Sequence, residues 1–143
     1  MPVAWYGCLP NCSRPYFKGS IPNKIGEICK YRFHICTENT YDPVFSYNYM
    51  TEKLPHALYG GAVPLYMGCY NIEEIMPKNT FFDLRPYFSN GNIDKKLIND
   101  IMNYKQEDFQ TYQQAACQFM RDPNGLFYHI DMRRYYKTML ETF

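Results

Sequence analysis

Apolar and polar positions change rhythm along this 143-residue chain, and the rhythm predicts its elements. Val3 to Tyr6 is a short apolar run stopped by Gly7 and reads as a strand. The Pro-, Asn-, Ser- and Gly-rich stretch from Leu9 to about Pro22 reads as an irregular loop. Asn23 to Lys30 has the spacing of a short helix, with Ile25 and Ile28 or Cys29 facing inward. Tyr31 to Thr37 alternates aromatic and polar residues, which predicts a strand. Met50 to Gly60 reads as a helix ended by Gly60-Gly61, with Pro55 close enough to the first turn to be tolerated. Val63 to Met67 is the next strand and Gly68 its exit turn. Ile72 to Met76 makes one or two helical turns, and Thr80 to Leu84 a further strand.

Strands alternating with helices predict right-handed βαβ units and a parallel sheet. After Arg85 the pattern turns helical. Asn92 is placed to cap a helix carrying Ile93, Leu97, Ile98, Ile101 and Met102. Glu107 to Met120 sets Phe109, Tyr112, Ala116, Phe119 and Met120 at helical spacing. Asp131 is placed to cap a last helix presenting Met132, Tyr135 or Tyr136, Met139, Leu140 and Phe143. The expected fold class is α/β, a Rossmann-like parallel sheet flanked by helices with a helical C-terminal segment. Residues 1–143 are expected to form one domain, long enough to bury roughly two-thirds of the unfolded surface.

Charge is nearly balanced, with 15 basic and 14 acidic side chains, and gives no electrostatic case for nucleic acid or an anionic membrane. Every apolar run is broken well short of the roughly 18 residues a membrane helix needs. No basic segment followed by an apolar core opens the chain, so no secretory signal is read and a soluble chain is expected. Of the six cysteines, Cys8-x3-Cys12 has tolerable zinc spacing but no second close pair. Free thiols are the preferred reading, with Cys36 and Cys117 as small core residues and no bound metal. The 15 tyrosines and 10 phenylalanines suit a sugar- or base-binding cleft, although most must be ordinary packing.

Three segments carry the chemistry: Tyr31-Arg-Phe-His-Ile-Cys-Thr-Glu-Asn-Thr40, Tyr49-Met-Thr-Glu-Lys-Leu54 and Gly60-Gly-Ala-Val-Pro-Leu-Tyr-Met-Gly68, followed by Phe81-Phe82-Asp83. In this order they place an acid–amide pair at the end of a strand and a second acid and a lysine at the start of a helix. α/β proteins hold phosphates at the carboxyl edge of a sheet in this way. The run resembles the donor-binding half of the α-1,3/4-fucosyltransferases, glycosyltransferase family 10. The resemblance extends from about Trp5 to the C-terminus and is densest between Tyr31 and Asp83. Thr40 stands for the usual Ser, Met50 for Val, and the loop Tyr41 to Asn48 is longer than the family pattern, which bears on local ligand geometry.

The resemblance implies the C-terminal half of a GT-B enzyme that uses GDP-fucose as donor and transfers fucose with inversion to a saccharide hydroxyl, an α-1,3 linkage being expected. It implies no tightly bound cofactor, with a divalent cation as a possible aid. It also implies a separate acceptor-binding domain that carries the catalytic base, so no catalytic residue is named in this chain. The donor-binding residues it points to are Glu38, Asn39, Tyr49, Thr51, Glu52 and Lys53. Lys53 matches a phosphate-binding lysine, Glu52 a ribose-binding glutamate and Glu38 a glutamate near the donor sugar.

Read from the residues alone, each keeps a plainer role. Lys53 is either a charge-assisted phosphate donor or a helix-surface lysine paired with Glu52 or Glu27. Glu52 either accepts a diol or simply favours the helix start. Asn39 either donates its amide to a phosphate oxygen or caps the loop. Glu38 either contacts the sugar or holds Asn39 and Lys53 in place, and Tyr49 either donates its hydroxyl or staples the helix. Gly68 either lets backbone approach the base or makes a plain turn, and Asp83 either serves the functional edge or caps the next loop. His34, His56 and His129 read as packed or exposed histidines. Two other readings stay open: a non-catalytic GDP-sugar-binding fragment or split-enzyme subunit, and a GT-B transferase using another nucleotide sugar. Self-association is expected through the Tyr135–Phe143 face or the cleft edge. The compartment is read as cytoplasmic, or as the Golgi lumen if the chain is a piece of a membrane-anchored eukaryotic enzyme.

Overall fold

The computed structural model describes Ala4, Tyr6, residues 16–89 and 92–125, and Phe127. Most of the expected first strand, the Cys8 and Cys12 pair and the expected helix after Asp131 lie outside the described residues. Three parallel strands make the sheet: β1 (Phe33–Thr37), β2 (Val63–Met67) and β3 (Phe82–Asp83), in the order β1-β2-β3. Phe33 stands opposite Val63, and Leu65 opposite Phe82.

Val63 to Tyr66 are all buried, so the central strand is one continuous apolar run rather than an alternation. Pro64 has no N–H to give, and it stands one residue ahead of the point where β3 joins at Leu65. Helix α1 (Lys24–Ile28) starts at Asn23, whose side chain accepts the Gly26 N–H. Helix α2 (Lys53–Tyr59) crosses from β1 to β2 and buries Leu54, Ala57 and Leu58. Its C-cap is Gly60, where a Cβ would sit 2.4 Å from Ile28 Cγ2. Glycine is therefore what lets α1 and α2 pack together.

The short helix α3 (Ile72–Ile75) leads through a 3-10 turn at Lys78–Thr80 into β3. Thr80 belongs to that turn and donates its hydroxyl to the Pro77 carbonyl at 2.6 Å, so the last strand is shorter than Thr80–Leu84. Beyond it, α4 (Lys96–Met102) precedes the long helix α5 (Gln106–Arg121). Tyr112 and Ala116 of α5 join the core of Cys36, Leu54, Val63, Tyr66, Ile72 and Met76. The Tyr112 hydroxyl donates to the Ala62 carbonyl at 3.0 Å, tying α5 to the entry of β2. Cys36 is buried as expected, its thiol pushed up to about 12 by burial, whereas Cys117 is only half-buried.

The expected helix from Asn92 is corrected. Asn92–Ile93 form a strand, β5, antiparallel to β4 (Phe88–Ser89), and the helix begins at Lys96. Asp94 makes the break: its carboxylate accepts the Lys96 N–H at 2.8 Å and its carbonyl the Leu97 N–H. Ile93, Ile98 and Met102 are exposed rather than a core-facing stripe. The sheet's parallel sense brings the ends of all three strands, Thr37, Met67 and Asp83, to one edge. The chemistry-bearing residues gather there.

Candidate functional site

Residue 38 follows β1 directly, and its backbone N–H still bonds the Met67 carbonyl at 2.9 Å. The Glu38 side chain has no exposed surface, yet it carries a carboxylate. A buried charge needs partners, and the segment before α2 supplies them. Thr51 donates its backbone N–H to Oε1 at 2.9 Å and sets its hydroxyl 2.7 Å from Oε2. The Lys53 ammonium donates to Oε2 at 3.2 Å.

This capture explains why the helix starts at Lys53 and not at Met50. Thr51 gives its N–H to Glu38, residues 50 and 51 stay outside the helix, and Glu52 becomes the N-cap without a side-chain capping bond. The helix is seven residues long. Lys53, its first residue, supplies a fixed positive charge at this edge.

Lys53 makes two further bonds, to the Thr37 carbonyl at 2.9 Å and to Asn39 Oδ1 at 3.3 Å. Its three acceptors lie on three consecutive residues, 37 to 39. The ion pair is closed on one side and open on the other, because the lysine side chain is 28% exposed. Asn39 is exposed and points its carbonyl at the lysine, and among the described residues its amide hydrogens have no protein acceptor.

The structure thus brings together Glu38, Asn39, Thr51 and Lys53. Glu52 turns away and lies 3.9 Å from Lys24, so the sequence-adjacent acid and base face different partners. Its carboxyl is held below the ordinary glutamate range, mainly by its own backbone N–H. Tyr49 is half-buried beside the cluster, with its backbone N–H bonded to the Ser46 carbonyl at 3.2 Å. Neither surface-lysine pairing holds, since Lys53 pairs with Glu38 and not with Glu52 or Glu27.

Gly68 completes the cluster. A Cβ there would lie 2.3 Å from Glu38 Cγ and 2.9 Å from the Tyr66 hydroxyl. The close approach is therefore to the buried glutamate. Tyr66, whose hydroxyl accepts the Cys69 N–H at 2.9 Å, forms the floor. The carboxylate is walled in by residues from β1, β2 and the start of α2. Sequence reasoning singled out Gly68 but not this contact, since an approach across 30 positions has no local signal.

Arg85 was missed altogether. Asp83 at the end of β3 accepts its backbone N–H and its Nε, both at 2.9 Å, and Glu73 also pairs with the guanidinium. These carboxylates hold Arg85 above its ordinary range, Asp83 most strongly. The Asp83-x-Arg85 spacing was the available signal. A third network fastens the loop 41–48: Asn71 accepts the Asn48 N–H at 2.8 Å and donates to Asn48 Oδ1 and Glu74 Oε2, both at 2.9 Å.

His34 and His56 sit away from this edge, on β1 and α2. Burial drives both downward, His34 to about 4, with Lys24 adding to the effect. Among the described residues, His56 Nδ1 is buried without a hydrogen-bond partner. Among the described residues no group of three or more His, Cys, Asp or Glu is placed to hold a metal ion. Shallow hollows along α5, one lined by Gln110, Gln113, Gln114 and Cys117, include none of the cluster's residues.

The model of the glycosyltransferase family 10 (fucosyltransferase) C-terminal region matches residues 1–120. That span contains every residue of the cluster. The chain belongs to glycosyltransferase family 10. An alpha-(1,4)-fucosyltransferase from Arabidopsis thaliana is 38% identical over 53 residues, which cover 37% of this chain and 12% of that protein. Among solved structures, an alpha1,3-fucosyltransferase with GDP-fucose superposes with a TM-score of 0.60 at 22% identity, covering 90% of this chain and 38% of that one. An alpha1,3-fucosyltransferase with GDP gives 0.57 at 22% identity, over 86% of this chain and 36% of the other. These likenesses confirm the fold, a parallel sheet flanked by helices as in GT-B fucosyltransferases. The family 10 chain spans less than two-fifths of the length of each of these relatives. Among the described residues no helix is long and apolar enough to cross a membrane.

Proposed function

We propose that this family 10 chain is the donor-binding domain of an inverting fucosyltransferase, taking GDP-fucose at the edge built by Glu38, Asn39, Tyr49, Thr51, Glu52 and Lys53. One observation carries the reading: a lysine held by a buried carboxylate on one side and open to solvent on the other. When a glycosidic bond to GDP breaks, negative charge grows on the leaving diphosphate. A fixed ammonium beside it stabilises that charge with no reorganisation at the moment of transfer.

Lys53 enters this role with its three N–H directions already used. The longest bond, 3.3 Å to the exposed Asn39, is the one a phosphate oxygen replaces. Thr37 and Glu38 keep the ammonium in place through the exchange, and Asn39 turns its amide toward the same phosphate. Glu52, which its own backbone N–H and the 3.9 Å contact to Lys24 leave largely exposed, accepts a ribose diol, and Tyr49 donates its hydroxyl. The saccharide acceptor and the base that takes its proton belong to a separate acceptor-binding domain. The product linkage is α-1,3, and a divalent cation stimulates transfer without a resident site.

A second reading is a donor-binding fragment or split-enzyme subunit that does not turn over alone. Mixing the chain with a candidate acceptor domain, GDP-fucose and N-acetylglucosamine separates the two. Transfer that appears only in the mixture establishes the split enzyme. GDP-mannose or UDP displacing GDP-fucose in competition would overturn the choice of donor.

A further inference from the structure

The loop 41–48 connects the two halves of the donor edge, beginning two residues after Asn39 and ending just before Tyr49. It is built rigidly. Asp42 Oδ1 accepts the N–H groups of Val44 and Phe45 at 2.8 and 3.0 Å, and the buried Ser46 accepts the Asp42 N–H at 2.9 Å. The Ser46 carbonyl takes the Tyr70 N–H at 2.9 Å, and Asn71 fastens the far end. A loop so anchored nevertheless holds large apolar side chains in water: Val44 is 76% exposed, Phe45 78% and Tyr47 52%. Tyr41 of the same loop and Tyr70, whose N–H the loop holds, form an exposed ring pair, with centroids 5.9 Å apart and planes tilted by 33°. Tyr47 is held there by donating its hydroxyl to Glu74 Oε2 at 3.2 Å, whereas Val44 and Phe45 simply face water.

The chemistry of the patch selects its ligand. Residues 39–52 contain no lysine or arginine, the N–H groups of Val44 and Phe45 are taken by Asp42, and the guanidinium that reaches the Tyr70 carbonyl, Arg85, is already paired with Asp83 and Glu73, so the patch carries no unpaired cation for an anionic ligand. Five side chains are far fewer than the roughly 20–30 residues a side that a standard protein interface uses. Flat aromatic rings with hydroxyls among them suit a small neutral molecule that has an apolar C–H face and a polar rim, and a pyranose has both. We infer that the loop 41–48, with Tyr70, is a stacking platform for the saccharide acceptor, contributed by the donor domain itself. This rests on the donor reading of the neighbouring edge and assigns the acceptor a contact outside the acceptor-binding domain.

Saturation-transfer NMR on the full chain tests it, with N-acetylglucosamine and lactose as probes, against the double variant Val44→Ser/Phe45→Ser and against Tyr41→Ser. GDP titration and sedimentation run in parallel. The expected result is transfer to the sugar C–H protons by wild type, and about tenfold weaker sugar binding in each variant, as loss of one aromatic contact implies. GDP affinity and helical circular dichroism stay unchanged. Equal sugar signals in wild type and variants overturn the proposal, as does absence of any sugar signal with GDP bound. A drop in GDP affinity overturns it by assigning the loop to the nucleotide. A dimer that dissociates in the variants while sugar binding persists overturns it in favour of a contact between copies. Failure of GDP to bind wild type refutes the donor reading, and the sugar comparison still decides the loop.

Discussion

Glu38→Gln removes one charge and almost no volume from the centre of the site, so its effect measures what the buried carboxylate does. In the wild-type chain the carboxylate accepts the Thr51 N–H and hydroxyl and the Lys53 ammonium. Glutamine keeps an oxygen for Thr51 but sets an NH2 against a lysine 3.2 Å from the original Oε2. A donor then meets a donor. Breaking one partner of a fully buried pair costs about 3–5 kcal/mol. The lysine is 28% exposed and finds water, which brings the expected loss down to about 2–3 kcal/mol. Urea unfolding followed by circular dichroism reads the loss as a lower midpoint at an unchanged slope. A second consequence separates position from stability: Lys53, freed from Glu38, swings outward, so GDP affinity falls even under conditions where the variant is fully folded. A midpoint within about 0.5 kcal/mol of wild type, together with unchanged GDP affinity, would refute the reasoning.

Three further predictions follow from the same contacts. Gly68→Ala forces a methyl to within 2.3 Å of Glu38 Cγ in a buried site, and unfolding experiments should show a loss of about 1–3 kcal/mol, accompanied by weaker GDP binding. Tyr112→Phe leaves the Ala62 carbonyl without its 3.0 Å donor and should cost about 1–3 kcal/mol by thermal or urea unfolding without altering GDP affinity, because α5 lies away from the edge. Stability should also fall with acid through His34. Its folded pKa of about 4 lies below the ordinary 6.5, so the unfolded chain takes up the proton first. The contribution is complete above about pH 6.5 and is lost as pH falls toward 4. Urea midpoints at several pH values should show wild type losing more than His34→Asn over that window, and parallel losses would contradict the assignment.

Much of the fold could be read locally because local signals agreed. β2 runs from Val63 to Met67, as its apolar run between Gly61 and Gly68 implies, and α5 extends one residue beyond the expected Glu107–Met120 at each end. The misreading at Asn92 came from trusting period over punctuation. Ile93, Leu97, Ile98 and Ile101 keep helical spacing, yet the Asn90-Gly91 pair just before them is a strong hairpin signal. Asp94 then supplies the true start of the helix. The site was legible as residue types, and the structure brings Glu38, Asn39, Thr51 and Lys53 together as grouped from the sequence. What no local pattern carries is the direction of each side chain. Lys53 turns inward because a buried carboxylate 15 residues earlier needs it, and Glu52 turns to Lys24 because that partner is taken. Gly68 owes its role to a contact across strands, which only the sheet's register creates, whereas Arg85 was signalled locally by Asp83 two residues before it.

The central claim is that Lys53 is a fixed charge for a diphosphate. Calorimetric titration of GDP into wild type, Lys53→Ala and the control Lys96→Ala tests it most directly. Loss of one charge-assisted contact predicts binding about ten- to a hundredfold weaker in Lys53→Ala and unchanged in Lys96→Ala. Equal affinity for GDP in wild type and a folded Lys53→Ala would contradict the claim and leave Lys53 as the counter-ion of Glu38 alone.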